Sequence, residues 1–129
     1  MKRKLFISLL LVFVILSFYG CSMGTKTDYP IVTTAENNSL GCIELIYNGV
    51  TYRPFGISLD TKLRGKQIGI RDDVEDGRGK VCEVKGYEVT EWLIDYLDVF
   101  MGGGDMILKA VEVKEIPSEL EQYRDYDFG

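Results

Sequence analysis

Apolar and polar side chains alternate in two stretches of the chain, residues 67–71 and 81–87. Alternation with a period of two places Ile68 and Ile70 on one face of the first stretch, as expected for a strand with one buried face. The second stretch behaves in the same way. Because the acidic, glycine-containing segment 72–79 lies between them, the pattern predicts a β-hairpin around a polar turn.

A second hairpin is predicted at residues 42–52. The runs 42–47 and 50–52 are rich in β-prone side chains, and Asn48-Gly49 separates them. Asn-Gly favours the positive φ angles of a two-residue type I′ turn, which suits the twist of paired strands. Pro54 lacks an N–H group, so this second strand is expected to end there or to lie at a sheet edge.

The segment 90–101 fits both a helix and a strand. Trp92, Leu93, Tyr96, Leu97 and Phe100 recur at helical spacing, whereas the run 93–98 is also a short apolar strand. Glycines at 102–104 indicate a turn, and 107–113 is a predicted final strand. The fold class expected is mainly β, with α+β as the alternative: a small single-domain antiparallel sheet or barrel with hairpins and one or two short helical turns.

The N-terminus carries the pattern of an export signal. Lys2, Arg3 and Lys4 precede an apolar run over 5–18, and Gly20 stands before Cys21. A helix over that run reaches roughly 21 Å, short of the roughly 30 Å hydrocarbon core, which favours a signal over a spanning helix. This region resembles the signal of bacterial lipoproteins. The resemblance implies cleavage before Cys21 and lipid attached to it; cleavage without lipid and a retained anchor are the alternatives.

The predicted organisation has four parts. Residues 1–20 are the signal peptide, 21–39 are the lipidated cysteine with a flexible tether, and 40–117 are the β-rich domain. Residues 118–129 form an acidic tail that either docks as one helical turn or frays. Removal of residues 1–20 would leave 12 Lys and Arg against 20 Asp and Glu, a formal net charge of −8.

Composition excludes several function classes. An acidic chain without a basic stripe is a poor nucleic-acid binder. The chain has no histidine, which excludes Ser-His-Asp and Cys-His catalysis and histidine-ligated metals within this chain. General acid–base catalysis by two of the 20 Asp and Glu stays open, but no pair is distinguished by its surroundings, and we predict no metal, no cofactor and no catalytic residue.

Two cysteines remain after Cys21. Cys42 and Cys82 either form a disulfide or are two separately buried thiols, and the sequence leaves both alternatives open. In the entropy model, a bridge closing a loop of about 40 residues would contribute roughly 4 kcal/mol to stability.

Four segments carry a resemblance to a family: Tyr47-Asn48-Gly49-Val50-Thr51-Tyr52, Gly65-Lys66-Gln67-Ile68-Gly69, Val84-Lys85-Gly86-Tyr87 and Glu91-Trp92-Leu93-Ile94. In this order they resemble small lipoproteins of Gram-positive bacteria that have no assigned activity. The resemblance covers about residues 42–110. It implies a compact β-rich domain and favours a strand at 93–98.

The functional expectation follows from the location that the N-terminal signal predicts. We expect a lipid-anchored module on the extracytoplasmic face of the cell membrane that binds an envelope protein and no nucleic acid. The alternative is a small-ligand or glycan binder, and an enzyme is not expected. Aromatic side chains give large contact areas at low entropy cost. The candidates for such a binding surface are Tyr47, Tyr52, Tyr87 and Trp92.

Overall fold

Seven β-strands form a closed barrel in the computed structural model, which describes residues 29–98 and 104–128. They are β1 (Ile31–Asn37), β2 (Cys42–Tyr47), β3 (Val50–Ser58), β4 (Arg64–Arg71), β5 (Gly79–Val84), β6 (Trp92–Leu97) and β7 (Asp105–Ala110). Their order around the barrel is β1-β2-β3-β7-β6-β5-β4. Neighbours run antiparallel except for β1 and β4, which are parallel. The prediction of a small, mainly β single domain is confirmed.

Both predicted hairpins are present. Asn48 and Gly49 have φ angles of 49° and 77°, the left-handed backbone that the turn between β2 and β3 requires. β4 and β5 pair around a short 3-10 turn at Glu75–Gly77. The segment that fitted both a helix and a strand forms β6.

The predicted tether ends earlier than expected. β1 pairs with β2 from Thr33↔Ile46 to Asn37↔Cys42, and the side chain of Val32 is fully buried. The boundary at residue 40 was therefore wrong: β1 exposes polar side chains such as Thr33 and Glu36, while its backbone pairs with β2 and β4 and completes the barrel. The predicted signal peptide and Cys21 lie outside the described residues.

Pro54 does not end its strand. β3 continues to Ser58 with a shift of register between Pro54 and Gly56. The ladder between β2 and β3 stops at Tyr52, so the missing N–H group of Pro54 interrupts no bond on that side. The last strand was predicted at 107–113. The observed strand β7 begins two residues earlier, at Asp105, and ends at Ala110.

Two apolar clusters lie on opposite faces of the barrel wall. An inner cluster draws on six strands and fills the interior: Val32, Leu45, Tyr52, Val81, Leu93, Leu108 and Ala110. An outer cluster lies outside the wall: Phe55, Cys82, Val84, Trp92, Ile94, Ile107 and Leu120. Alternation along β6 sends Leu93 inward and its two neighbours outward. A small barrel thus needs a cover over part of its outer face.

That cover is a segment that we name the C-terminal strap, residues 118–128. It begins with helix α1 (Ser118–Glu121), whose Leu120 is fully buried. The backbone N–H groups of Asp125 and Tyr126 donate hydrogen bonds to the carbonyl of Phe55 at 3.0 and 3.1 Å. The docked helical turn, one of the two alternatives for the tail, is confirmed, and the predicted domain boundary at 117 was wrong.

A bidentate ion pair joins β4 to β7. Arg64 donates from Nε and Nη2 to the two carboxylate oxygens of Asp105 at 3.0 and 2.7 Å. The guanidinium also lies 3.5 Å from the ring centre of Tyr96. Asp105 is 1% exposed, and this pairing satisfies its buried charge.

No helix within residues 29–98 and 104–128 is long and apolar enough to cross a membrane.

Candidate functional site at the barrel mouth

A cavity of about 350 Å³ opens at one end of the barrel. It shares Leu45 and Leu108 with the inner cluster, so it is continuous with the apolar interior. We name it the mouth cavity; its lining consists of Gly41, Cys42, Ile43, Leu45, Pro54, Arg71, Asp95, Met106, Leu108, Tyr126 and Phe128. Its volume lies at the lower end of the roughly 300–1,000 Å³ typical of ligand pockets.

An ion pair forms the polar part of this cavity. Arg71, the last residue of β4, donates from Nη1 to Asp95 Oδ2 at 2.5 Å. It also donates from Nε and Nη2 to the two oxygens of Asp73, at 2.8 and 2.6 Å. The side chains of Arg71 and Asp95 are 14% and 12% exposed. One guanidinium therefore holds two carboxylates, and the three groups together carry a formal charge of −1.

The two carboxylates differ in their environment. Burial raises the pKa of Asp95, against the opposing effect of Arg71. The hydrogen bonds from Arg71 lower the pKa of Asp73, which is more exposed. Asp95 Oδ1 is buried and has no hydrogen-bond partner among the described residues. Asp95 is thus incompletely compensated by its neighbours.

The rim of the cavity is aromatic and comes from the C-terminal strap. Tyr126 and Phe128 stack with ring centres 5.6 Å apart and planes 14° apart. Arg53 fixes the end of the strap by donating from Nη1 to the carbonyl of Phe128 at 3.1 Å. Arg53 is itself held by Glu44, at 2.6 Å from its Nε. Strand β3 and the C-terminal strap, which are distant in sequence, therefore build one wall of the cavity.

The seam between β1 and β4 lies beside this end of the barrel. Among the described residues the two strands pair at two positions, Ile31↔Ile70 and Val32↔Arg71. Beyond them, Thr34 donates from its backbone N–H and its hydroxyl to Asp72 Oδ1, at 3.1 and 2.7 Å. Part of the predicted acidic turn thereby closes the barrel wall.

The four aromatic candidates do not form one surface. Tyr52 and Trp92 are 1% and 0% exposed and belong to the inner and outer clusters, so their prediction as binding residues was wrong. Both carry apolar periodicity that core packing explains equally well. Tyr52 donates from its hydroxyl to the carbonyl of Val89, and burial raises its pKa to about 12.

The other two candidates lie on opposite faces of the wall. Tyr47 packs partly buried against the inner cluster, and Tyr87 against the outer cluster. Tyr87 donates from its hydroxyl to Glu119 of the strap at 2.9 Å. Neither residue lines the mouth cavity.

The two cysteines are free thiols, so the disulfide alternative was wrong. Cys42 stands on β2 and Cys82 on β5, and two strands separate β2 from β5 on the shorter way around the barrel. Neighbouring strands lie about 4.8 Å apart, so three such steps exceed the Cα separation of a disulfide. Burial raises the pKa of both thiols, which makes them weak nucleophiles at neutral pH.

Sequence reasoning did not identify Arg71 and Asp95 as partners. One signal was available: Asp95 is the single charged residue within β6, which otherwise reads Trp-Leu-Ile and Tyr-Leu. A carboxylate in an apolar strand needs a cationic partner if it is buried. The sequence contains 15 Lys and Arg, and nothing local selects Arg71 among them.

This arrangement is suited to binding a small molecule by shape and charge. In residues 29–98 and 104–128, no three His, Cys, Asp or Glu side chains are grouped so that they could hold a metal ion.

Comparisons of the chain with protein-family models, with curated proteins and with solved structures gave no match.

Proposed function

We propose that this protein is a lipoprotein anchored through Cys21 on the extracytoplasmic face of the cell membrane, and that its barrel binds a small ligand at the mouth cavity. The anchor is proposed from the sequence of residues 1–21. Two acyl chains on one cysteine give stable attachment, where one chain alone gives marginal binding. The barrel would then act close to the membrane surface.

The observation that carries the ligand proposal is the composition of the cavity. Its walls are apolar, through Leu45, Met106 and Leu108, and one polar group, the Arg71–Asp95 pair, lies among them. Ligand sites in proteins combine apolar walls with a few polar groups that fix orientation.

Binding without catalysis is the version of the proposal that the cavity supports best. Arg71 is held by two carboxylates, the thiol of Cys42 has a raised pKa, and the one carboxylate of the lining, Asp95, is paired with Arg71. A catalytic nucleophile needs an adjacent base or a lowered pKa.

A second candidate is the protein-interaction module expected from the sequence. Ile31 and Ile46 are 65% and 37% exposed, and both lie on the outer face of the β1–β2 hairpin. Apolar side chains exposed together can mark an interaction surface. This face is separate from the mouth cavity, so one set of variants distinguishes the two candidates.

The ligand proposal is tested on the full-length chain in nonionic detergent, labelled with ¹³C at the methionine methyl groups. Met106 lines the cavity, and its signal is assigned by the loss that Met106→Leu produces. We expect an extract of the producing cells' envelopes to shift this signal. Ile43→Trp at the rim should abolish the shift, whereas Ile46→Trp, on the outer face of the same strand, should retain it.

The outcomes separate the candidates. An unchanged Met106 signal would contradict the ligand site. Loss of envelope-protein crosslinks in Ile46→Trp alone would favour the interaction module. The anchor is tested by Cys21→Ser, which should move the chain to the soluble fraction or leave it uncleaved, and mature protein that stays on the membrane would contradict lipidation.

A further inference from the structure

The ion cluster of Arg71, Asp73 and Asp95 has a formal charge of −1, and two of its members, Arg71 and Asp95, line the mouth cavity. Arg71 contributes one positive charge, and Asp73 and Asp95 each contribute one negative charge when ionised. The remaining members of the lining bring no second cation. Asp95 is the one carboxylate of this cluster that faces the cavity, so a ligand with one positive charge would complement it directly, whereas Asp73 lies outside the lining.

The hydrogen bonding of Asp95 also favours a ligand with a positive charge. Asp95 Oδ2 accepts from Arg71, whereas Asp95 Oδ1 has no partner within residues 29–98 and 104–128. A buried carboxylate oxygen without a donor is costly, and a charged donor compensates it best. Oδ1 is itself buried, but the terminal torsion of an aspartate is broad, so a rotation of the carboxylate would turn this oxygen toward a donor in the cavity.

Recognition of an anion by Arg71 is disfavoured by geometry. Each of its three guanidinium nitrogens already donates to a carboxylate, two to Asp73 and one to Asp95. An anionic ligand would have to compete with both of these residues.

The remaining lining defines the rest of the ligand. Leu45, Met106 and Leu108 are apolar, and the stacked rings of Tyr126 and Phe128 stand at the rim. Aromatic faces attract cations and pack against flat apolar groups. We propose that the mouth cavity recognises a small organic amine with an apolar body, its ammonium group donating to Asp95 and its body lying between the apolar wall and the aromatic rim. This inference rests on the proposed function of the cavity as a ligand site.

The test uses three probes that share one ring and one chain length as far as chemistry allows: phenethylamine, 2-phenylethanol and 3-phenylpropionate. At pH 7 the first is a cation, like the lysine side chain, the second is neutral and the third is an anion. Each is titrated into the full-length chain in nonionic detergent, and the ¹³C-methyl signal of Met106 reports occupancy. We expect the amine to bind about tenfold or more tighter than the alcohol, and the acid to bind weakest.

Two isosteric variants locate the charge. Asp95→Asn should reduce the affinity for the amine to that for the alcohol. Asp73→Asn removes the same formal charge from the same arginine at an exposed position, and should retain the preference for the amine. Ile43→Trp should block all three probes.

Every other outcome overturns the inference. Equal binding of amine and alcohol, both blocked by Ile43→Trp, would retain the ligand site and reject recognition of a cation. Tighter binding of the acid would assign recognition to Arg71. An amine preference that survives Asp95→Asn would remove Asp95 from the site. No shift with any probe would reject this ligand class, and an envelope extract that still shifts Met106 would leave the proposed function standing without it.

Discussion

The carboxylate of Asp95 meets the guanidinium of Arg71 inside the barrel although β5 separates their strands. Pairing across an intervening strand requires side chains that reach through the interior. The cost of removing both charges from water is offset only in part by their attraction, because one carboxylate oxygen has no partner among the described residues. The pair is therefore expected to add little to the free energy of unfolding, which is consistent with a role in ligand recognition.

The first prediction concerns the pH dependence of Asp95→Asn. The native pKa of Asp95 is raised from an ordinary value of 3.8, so the folded state binds this proton more tightly than the unfolded state. Ionisation of Asp95 then lowers the free energy of unfolding as pH rises from 3.8 through the raised pKa. Asparagine does not titrate. Urea unfolding should therefore show the variant gaining stability relative to wild type as pH rises through this window, whatever the offset from lost packing.

Asp73→Asn should show the opposite slope. The pKa of Asp73 is lowered from 3.8 by its hydrogen bonds with Arg71, so its ionised form stabilises the fold. That contribution is present above 3.8 and is lost as pH falls through the lowered pKa. The free energy of unfolding of the variant should therefore fall relative to that of wild type as pH rises through this lower window. The difference should be small, because Asp73 is 36% exposed. Slopes of equal sign in the two variants would contradict the assigned environments.

A third prediction compares two ion pairs. Asp105→Ala removes a carboxylate that is 1% exposed and leaves Arg64 stacked on Tyr96 without its bidentate partner. We expect a loss of about 3 kcal/mol in the free energy of unfolding. Glu121→Ala breaks an exposed pair with Arg124 and should cost below about 1 kcal/mol. Thermal and urea unfolding measure both, and similar losses would show that burial does not decide the strength of these pairs.

Local chemistry made part of the fold predictable. The turn at Asn48-Gly49 depends on two residues that tolerate positive φ, and runs of β-prone side chains flank it. β1 was missed because its buried positions are few: Thr33 and Glu36 are exposed, and only the register with β2 and β4 gives the segment a role. Likewise the mouth cavity joins Ile43, Arg71, Asp95 and Tyr126 from four separate segments. No pattern within one segment contains that information, since strand order in the barrel creates it.

Thiol labelling tests the state of the cysteines. Cys82 is 3% exposed in the outer cluster, whereas Cys42 is partly exposed at the mouth cavity. Native protein should therefore react with iodoacetamide faster at Cys42 than at Cys82, and unfolding should remove the difference. Mass spectrometry of membrane-extracted protein should count two reactive thiols, because a lipidated Cys21 sulfur does not react. Cys42→Ser and Cys82→Ser assign the two sites, and labelling that requires prior reduction would contradict free thiols.

The last prediction concerns the docking of the C-terminal strap on the barrel. A Cβ added at Gly56 would lie 1.8 Å from the carbonyl oxygen of Tyr123, a backbone atom that cannot move without lifting the strap. Gly56→Ala should therefore break the two hydrogen bonds to the Phe55 carbonyl and uncover Leu120. We expect a loss of about 3 kcal/mol in the free energy of unfolding, comparable to truncating one buried leucine.

Local readouts distinguish a lifted strap from a generally weakened barrel. Trypsin should cut at Arg124 faster in Gly56→Ala, and the emission of Trp92, the one tryptophan of the chain, should shift to longer wavelength while the strand signal in circular dichroism persists. Gly65→Ala is the control, because its added Cβ meets the backbone carbonyl oxygen of Glu83 at 3.0 Å, a milder contact that lies on the barrel and not against the strap. Because Tyr126 and Phe128 line the mouth cavity, lifting the strap should also move the Met106 methyl signal. Unchanged cleavage at Arg124 together with lower stability would mean that the strain enters the barrel instead, and that the strap does not form an independent wall of the site.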